Sequence, residues 1–258
     1  MTTRPKKALG QHFLVDENLL GVIGRHAQLQ PDDVVLEIGP GTGVLTRYLA
    51  ARVGLVHAIE LDRSLEASLH EALDGAENVH VAFGDAVRFD YVSLEPAPRK
   101  LVANLPYNIA TPIVLESLDR IPSLERWVVM VQREVADRFF ASPQTKAYGS
   151  VSVLVQLQTR RIGFHRVPPT AFRPRPRVES AIVAFERVPD APSLELVRPV
   201  VEAAFAHRRK TLANSVALTG RASRSDAEEA LATIGREPAV RAEELAPGEF
   251  VALAQALS

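Results

Sequence analysis

The chain has 258 residues, 47% hydrophobic and 24% charged, with 30 Lys and Arg against 31 Asp and Glu for a net charge of −1. That balance is ordinary for a globular protein and excludes general disorder, a collagen-like chain or a coiled-coil rod. With no cysteine, disulfides, a thiolate zinc site, an iron–sulfur cluster and a cysteine nucleophile are excluded as well.

In chain order, the opening segment is basic at Arg4, Lys6 and Lys7 but has no apolar stretch behind it, so it does not read as a secretory signal. Short apolar runs at 34–38, 55–60, 79–83, 100–104 and 126–131 read as strands. Helical patterns at 42–52, 64–74, 111–118 and 133–140 alternate with them. This βαβα order implies a parallel sheet with helices on both faces. A helix near 150–158 precedes two further strands, 160–167 and 181–187, expected as an antiparallel pair joined by a long Pro- and Arg-rich loop. The segment VPDAPS after Arg187 is linker-like, and only helical patterns follow it. Pro199 suits the first position of one helix. Ser225 and Glu228 form an S-x-x-E capping box for another. Phe250, Leu253, Ala254 and Leu257 share one face of the last. The expected division is an α/β domain over 1–187 and a small helical domain over 188–258. The longest apolar runs are about five residues, such as Trp127–Val131, where a membrane span needs about 20. A cytoplasmic enzyme or binding protein is the expectation.

The near-zero net charge conceals local bias. Arg160, Arg161, Arg166, Arg173, Arg175 and Arg177 crowd one stretch, and Arg208, Arg209 and Lys210 form another cluster. Guanidinium forks bind phosphate bidentately, so three basic clusters in a neutral chain favour a polyanionic partner.

The segment from Val34 to Gly43 reads strand, glycine-rich turn, helix. Gly39, Gly41 and Gly43 allow a tight turn and close approach of a ligand. Glu60 ends the next strand about 20 residues on, where a carboxylate can accept both hydroxyls of a ribose. Asp85, followed by Ala86 in the motif GDA, is placed to accept from an adenine amino group. The pattern is E-x-G-x-G-x-G rather than G-x-G-x-x-G. It resembles the S-adenosyl-L-methionine loop of class I methyltransferases, and Glu37 suits a cationic sulfonium and disfavours pyrophosphate.

Asn104-Leu105-Pro106-Tyr107 closes the fourth strand and resembles the [DN]-[IL]-P-Y signature of methyltransferases acting on adenine N6. An exocyclic amine is a poor nucleophile because its lone pair is delocalised into the ring. Two acceptors aimed at its N–H groups, the Asn104 side-chain oxygen and the Leu105 carbonyl, free that lone pair. Pro106 stiffens the loop, and Tyr107 offers an aromatic face worth ~1–3 kcal/mol to an extruded base.

These residues sit in an ordered set: KKALGQHFL (6–14), LEIGPGTGVLT, AIELD, GDA, NLPYNIATP, VQREVADR (131–138), PPTAFRPRPRVES (168–180) and AFAHRRKTLANS (204–215). Nearly end to end, the chain resembles the bacterial 16S ribosomal RNA adenine dimethyltransferases, relatives of the erythromycin-resistance 23S methylases. The resemblance implies a Rossmann-like, seven-stranded, mostly parallel sheet with an antiparallel last strand, plus a small C-terminal all-helical domain. It implies cofactor contacts from Gln11, His12 and Leu14, with a backbone contact expected at His12, and from Gly39, Gly41, Gly43, Glu60, Asp85, Ala86 and Asn104. Phe172 would stack on the base face opposite Tyr107. Arg173, Arg175, Arg208, Arg209 and Lys210 would grip RNA phosphates. The implied activity is S-adenosylmethionine-dependent N6,N6-dimethylation of two adjacent adenosines near the 3′ end of 16S rRNA. The implied partner is the 30S subunit as an assembly intermediate, with a monomeric enzyme, no metal and no membrane. The rival readings are a nicotinamide-dependent oxidoreductase, a non-catalytic assembly factor on the same fold, and a 23S-directed methylase.

Overall fold

The computed structural model describes residues 11–258. The expected basic residues Arg4, Lys6 and Lys7 and the start of the KKALGQHFL motif lie outside these. In chain order the elements are β1 (Phe13–Leu14), α1 (Asn18–Ala27), β2 (Val34–Ile38), α2 (Val44–Ala50), β3 (Leu55–Glu60), α3 (Glu66–Ala72), β4 (Val79–Phe83) and β5 (Lys100–Asn104). There follow α4 (Ala110–Arg120), β6 (Arg126–Gln132), α5 (Arg133–Phe139), α6 (Ser150–Gln158), β7 (Thr159–Val167), β8 (Phe172–Arg173) and β9 (Ser180–Arg187). The remaining helices are α7 (Leu194–Phe205), α8 (Leu212–Leu218), α9 (Arg224–Thr233) and α10 (Pro247–Ala256).

Seven strands form one sheet in the order β4-β3-β2-β5-β6-β9-β7. The first five are parallel, and β9 runs antiparallel to β6, from Arg126 opposite Glu186 to Gln132 opposite Ser180. This is the expected mostly parallel sheet. The central strands are apolar on both faces because helices cover both, as parallel sheets require. Val35, Val102, Val128, Met130 and Ile182 share one buried cluster with Ile23 of α1 and Leu49 of α2. Trp127 is fully buried, stacked on Phe185 at 5.5 Å and 9°. Its indole N–H donates to Ser117 Oγ at 2.8 Å. Strand order reverses between β2 and β5, so the crevice beyond their carboxyl ends is where this architecture takes ligands.

The chain divides into two compact units. One runs up to Ala136 and resumes over Arg160–Arg187; the other combines Asp137–Thr159 with Val188–Ser258. The expected cut after Arg187 is therefore joined by a second excursion. Helix α6 is apolar nearly all round, with Val153, Leu154, Val155 and Leu157 buried, and it packs on α7 and α10. Tyr148, just before it, is buried and donates its hydroxyl to the Leu245 carbonyl at 2.7 Å.

Two expected helix starts move. Pro199 lies inside α7, because Ser193 starts the helix earlier by accepting from the Glu195 N–H. The capping box of α9 is Ser223 with Asp226 instead of Ser225 with Glu228. The Ser223 hydroxyl accepts from Asp226 N at 3.1 Å and Asp226 Oδ2 accepts from Ser223 N at 3.3 Å. The SRSD run holds an earlier S-x-x-acid match, and the first residue able to cap does so. Among the described residues no helix is long and apolar enough to cross a membrane.

Candidate active site

A cavity of about 320 Å³ opens at the carboxyl ends of β2, β3, β4 and β5. After β2 the chain turns through Gly39 and Gly41 at φ +74° and +59°, a region that L side chains rarely adopt. A Cβ on Gly39 would stand 3.2 Å from Pro106 Cδ, and one on Gly41 would stand 3.0 Å from Phe13 Cε1. The loop is thus flush against two walls of the cavity. Gly43 is the N-cap of α2 and does not line the cavity; its close neighbours are Ala72 and Leu69 of α3.

Glu60, at the end of β3, is 5% exposed and lines the cavity. Its Oε2 accepts from Gly41 N at 3.0 Å and its Oε1 from Asp62 N at 2.8 Å. The carboxylate therefore staples the glycine loop to the turn after β3 and keeps further lone pairs for hydroxyl donors. Asp85, after β4, lines the cavity and is exposed. Its Oδ1 accepts from Val87 N at 3.0 Å. The next residue, Ala86, is buried and off the lining; its carbonyl accepts from Tyr91 Oη at 2.6 Å. Arg120 of α4 braces the same loop by donating to the carbonyls of Val87 (2.8 Å) and Phe89 (2.6 Å).

Residues 11–14 cross this site. Gln11 Nε2 donates to Asp62 Oδ2 at 3.1 Å. Phe13 and Leu14 pair antiparallel with Arg173 and Phe172. His12 Nδ1 lies 2.7 Å from the Pro174 carbonyl; a carbonyl only accepts, so this nitrogen carries the proton. The His12 carbonyl accepts from Asn104 Nδ2 at 3.0 Å. That bond uses one N–H of the Asn104 amide, fixes its orientation and leaves Oδ1 as an acceptor for an outside donor. Leu105 is buried, its N–H tied to the Met130 carbonyl at 3.1 Å. Pro106 closes a turn whose carbonyl accepts from Ile109 N at 3.1 Å, one residue before α4 begins. Tyr107 is half-buried. Its ring lies 5.1 Å from that of His12, tilted by 31°, and its hydroxyl pairs with Ser180 Oγ at 2.5 Å. Burial pushes its phenol up, and the Ser180 bond opposes that shift.

The cavity thus brings together Gln11, His12, Leu14, Gly39, Gly41, Glu60, Asp85, Asn104, Leu105, Pro106 and Tyr107. Phe172 stands apart from the expected stacking position. It is 2% exposed, off the lining, and shares a buried cluster with Leu14, Leu20 and Val167. Pairing Leu14 opposite Phe172 carries both side chains into that core. Arg173 and Arg175 are exposed. In the helical unit Arg209 and Lys210 are exposed, whereas Arg208 donates to the Tyr148 carbonyl at 3.0 Å and to Glu243 at 3.3 Å. Phe13, Leu61 and Asn108 also line the cavity and were not among the expected contacts. Phe13 and Asn108 lie inside the QHFL and NLPYN motifs, and their proximity to named residues was the available signal.

Glu37 lines the cavity at the end of β2, 1% exposed, with no partner for its Oε2. Burial pushes its carboxyl up to about 8; the Thr46 hydroxyl opposes the shift and the charge of Glu60 adds to it. The folded protein holds this proton up to about pH 8, and the unfolded chain releases it near the ordinary value of 4.5. The contribution to stability is therefore full below about 4.5 and is lost as pH rises from there through about 8. Glu37→Gln keeps the neutral shape and removes the slope. Its melting temperature should exceed the parent's by about 10 °C at high pH and match it in acid. An equal shift at both pH values would refute the neutral-acid assignment.

The family model for ribosomal RNA adenine dimethylase matches residues 2–257. The chain is 52% identical over 258 residues to the ribosomal RNA small subunit methyltransferase A of Rubrobacter xylanophilus, covering 100% of this chain and 97% of that one. Its counterpart from Syntrophotalea carbinolica is 45% identical over 263 residues, covering 99% and 97%. Among solved structures, a dimethyladenosine transferase from Plasmodium falciparum superposes with a TM-score of 0.78 at 23% identity, covering 94% and 96%, and shares the fold. The 23S rRNA methyltransferase ErmE superposes with a TM-score of 0.68 at 30% identity, covering 95% and 99%. With a match over nearly its whole length, this chain belongs to the ribosomal RNA adenine dimethylase family.

Proposed function

We propose that the protein transfers methyl groups from S-adenosyl-L-methionine to adenine N6 in small-subunit rRNA. The product is N6,N6-dimethyladenosine at two adjacent adenosines near the 3′ end of 16S rRNA. The substrate is the 30S particle during assembly, and the enzyme acts as a monomer. The observation that carries this reading is the Asn104 amide. One of its N–H groups donates to the His12 carbonyl and fixes the amide, and its oxygen is left to accept from an amine at a cavity wall.

The cavity fits the cofactor. The positive-φ glycines, whose Cβ positions are already taken up by Pro106 and Phe13, let a ligand lie against bare backbone. Glu60 supports ribose hydroxyls, Asp85 an adenine amino group, and the buried Glu37 carboxyl faces the cavity without a partner for Oε2. A volume of about 320 Å³ falls in the usual range for small-molecule sites. When bound, the cofactor supplies a sulfonium methyl already activated toward an amine. The protein's part is to hold the base. Asn104 Oδ1 accepts one amine N–H and the Leu105 carbonyl the other, drawing nitrogen toward a tetrahedral shape. Tyr107 presents a ring face to the base, with His12 beside it. The amine proton leaves to water afterwards, so no strong base is required. Positioning and preorganised dipoles carry the rate. The base is presented from a loop or splayed out, because a duplex hides N6.

Calorimetry against the cofactor and against a nicotinamide dinucleotide tests the site: tight binding of the first alone is expected, and preference for the second would overturn the reading. Removing Arg209 and Lys210 together should weaken RNA binding and reduce its logarithmic salt slope by about 1–2, with cofactor affinity unchanged. Parallel loss of cofactor affinity would contradict a phosphate-contact role. Arg208→Ala should in addition lower the melting temperature, because that side chain braces Tyr148 and Glu243.

A further inference from the structure

Ser180 is the first residue of β9, fully buried, and opposite Gln132 at the end of β6. Its backbone is anchored on both sides. The strand pairing holds it on one, and on the other the Glu179 carbonyl accepts from Arg133 N at 3.0 Å, with an Arg133–Glu179 ion pair at 2.7 Å. From this fixed point its hydroxyl meets the Tyr107 hydroxyl at 2.5 Å. A hydrogen bond at the para oxygen sets where the ring axis points but not how the ring turns about it. The His12 ring, 5.1 Å away, lies against the ring itself. Tyr107 immediately follows Asn104-Leu105-Pro106, so its axis and the two amine acceptors share one rigid loop.

We propose that Ser180 is a positioning residue for the methyl-transfer reaction: through the Tyr107 hydroxyl it fixes the axis of the ring on which the target adenine stacks, while His12 limits how the ring turns about that axis. This inference rests on the adenine-N6 reading above. A small error in ring direction moves the amine away from its acceptors without removing any contact to cofactor or RNA phosphate. The loss should therefore fall on the rate and spare binding.

The test is single-turnover methyl transfer from labelled S-adenosylmethionine to unmethylated 30S particles. Ser180→Ala should slow transfer about tenfold, with KM for the particles within about twofold and cofactor affinity unchanged. Tyr107→Phe should show the same loss, and the double variant should be no slower than either single one, because one interaction has been removed twice. Ser180→Thr, which retains a hydroxyl, should restore most of the rate. A full rate in folded Ser180→Ala, losses that multiply to about a hundredfold, or a parallel fall in cofactor affinity would each overturn the proposal. If Ser180→Ala does not fold, the double variant decides, since it leaves neither hydroxyl unpaired. A rate equal to a slowed Tyr107→Phe supports the proposal; a further loss, or a full rate in Tyr107→Phe, overturns it. Absence of transfer by the parent protein would instead strike down the adenine-N6 reading itself.

Discussion

Replacing Asn104 by alanine should lower methyl transfer about 10³-fold, the scale on which loss of one preorganised acceptor or donor acts in a closed site. RNA affinity should be nearly unchanged, because the proposed phosphate contacts, Arg209 and Lys210, are other residues. Cofactor affinity should fall only a few-fold, through loss of the bond from Asn104 Nδ2 to the His12 carbonyl. Asn104→Asp separates the two roles of the amide. It keeps an acceptor oxygen but cannot donate to His12 when ionised, so it should retain more transfer than alanine while loosening residues 11–14. Transfer and RNA affinity measured on the same preparations decide the matter. Equal loss of both would contradict the amine-acceptor role.

Glu60→Ala should be the most damaging change to cofactor binding, with affinity falling at least about 100-fold. Two effects combine. The proposed ribose acceptor goes, and the N–H groups of Gly41 and Asp62 lose the carboxylate that pairs them. Each unpaired buried donor costs about 1–3 kcal/mol, so the melting temperature should drop as well. Glu60→Gln retains one acceptor oxygen and should fall between. Calorimetry and thermal melting read the two effects separately, and parental cofactor affinity in Glu60→Ala would contradict the assignment.

Much of this was legible before the structure. The five parallel strands announced themselves as apolar runs because helices cover both faces. The glycine loop was readable because only glycine tolerates positive φ beside Pro106 and Phe13. NLPY was readable because it concentrates at one strand end the groups proposed to hold the amine, and the structure places them at the cavity wall. Other features depended on tertiary context. Nothing local distinguishes the apolar α6 from a sheet-covering helix; its assignment to the helical unit follows from what it packs on. Ser193 and Ser223 took the caps because they came first in chain order, and so displaced Pro199 and Ser225 from the expected starts. Phe172 reads as an exposed loop aromatic among prolines and arginines, but the pairing of β1 with β8 carries it into the core. Arg208 looks like its two basic neighbours in sequence, yet a carbonyl and a carboxylate brought close by folding engage it.

Labelled methyl incorporation decides whether the protein methylates adenine of small-subunit rRNA. Unmethylated 30S particles and, in parallel, 50S material are incubated with the protein and labelled S-adenosylmethionine, and the nucleosides are then separated. Label in N6,N6-dimethyladenosine from 16S rRNA alone is the predicted result. Label in 23S rRNA, or tight 30S binding with no incorporation, would contradict it.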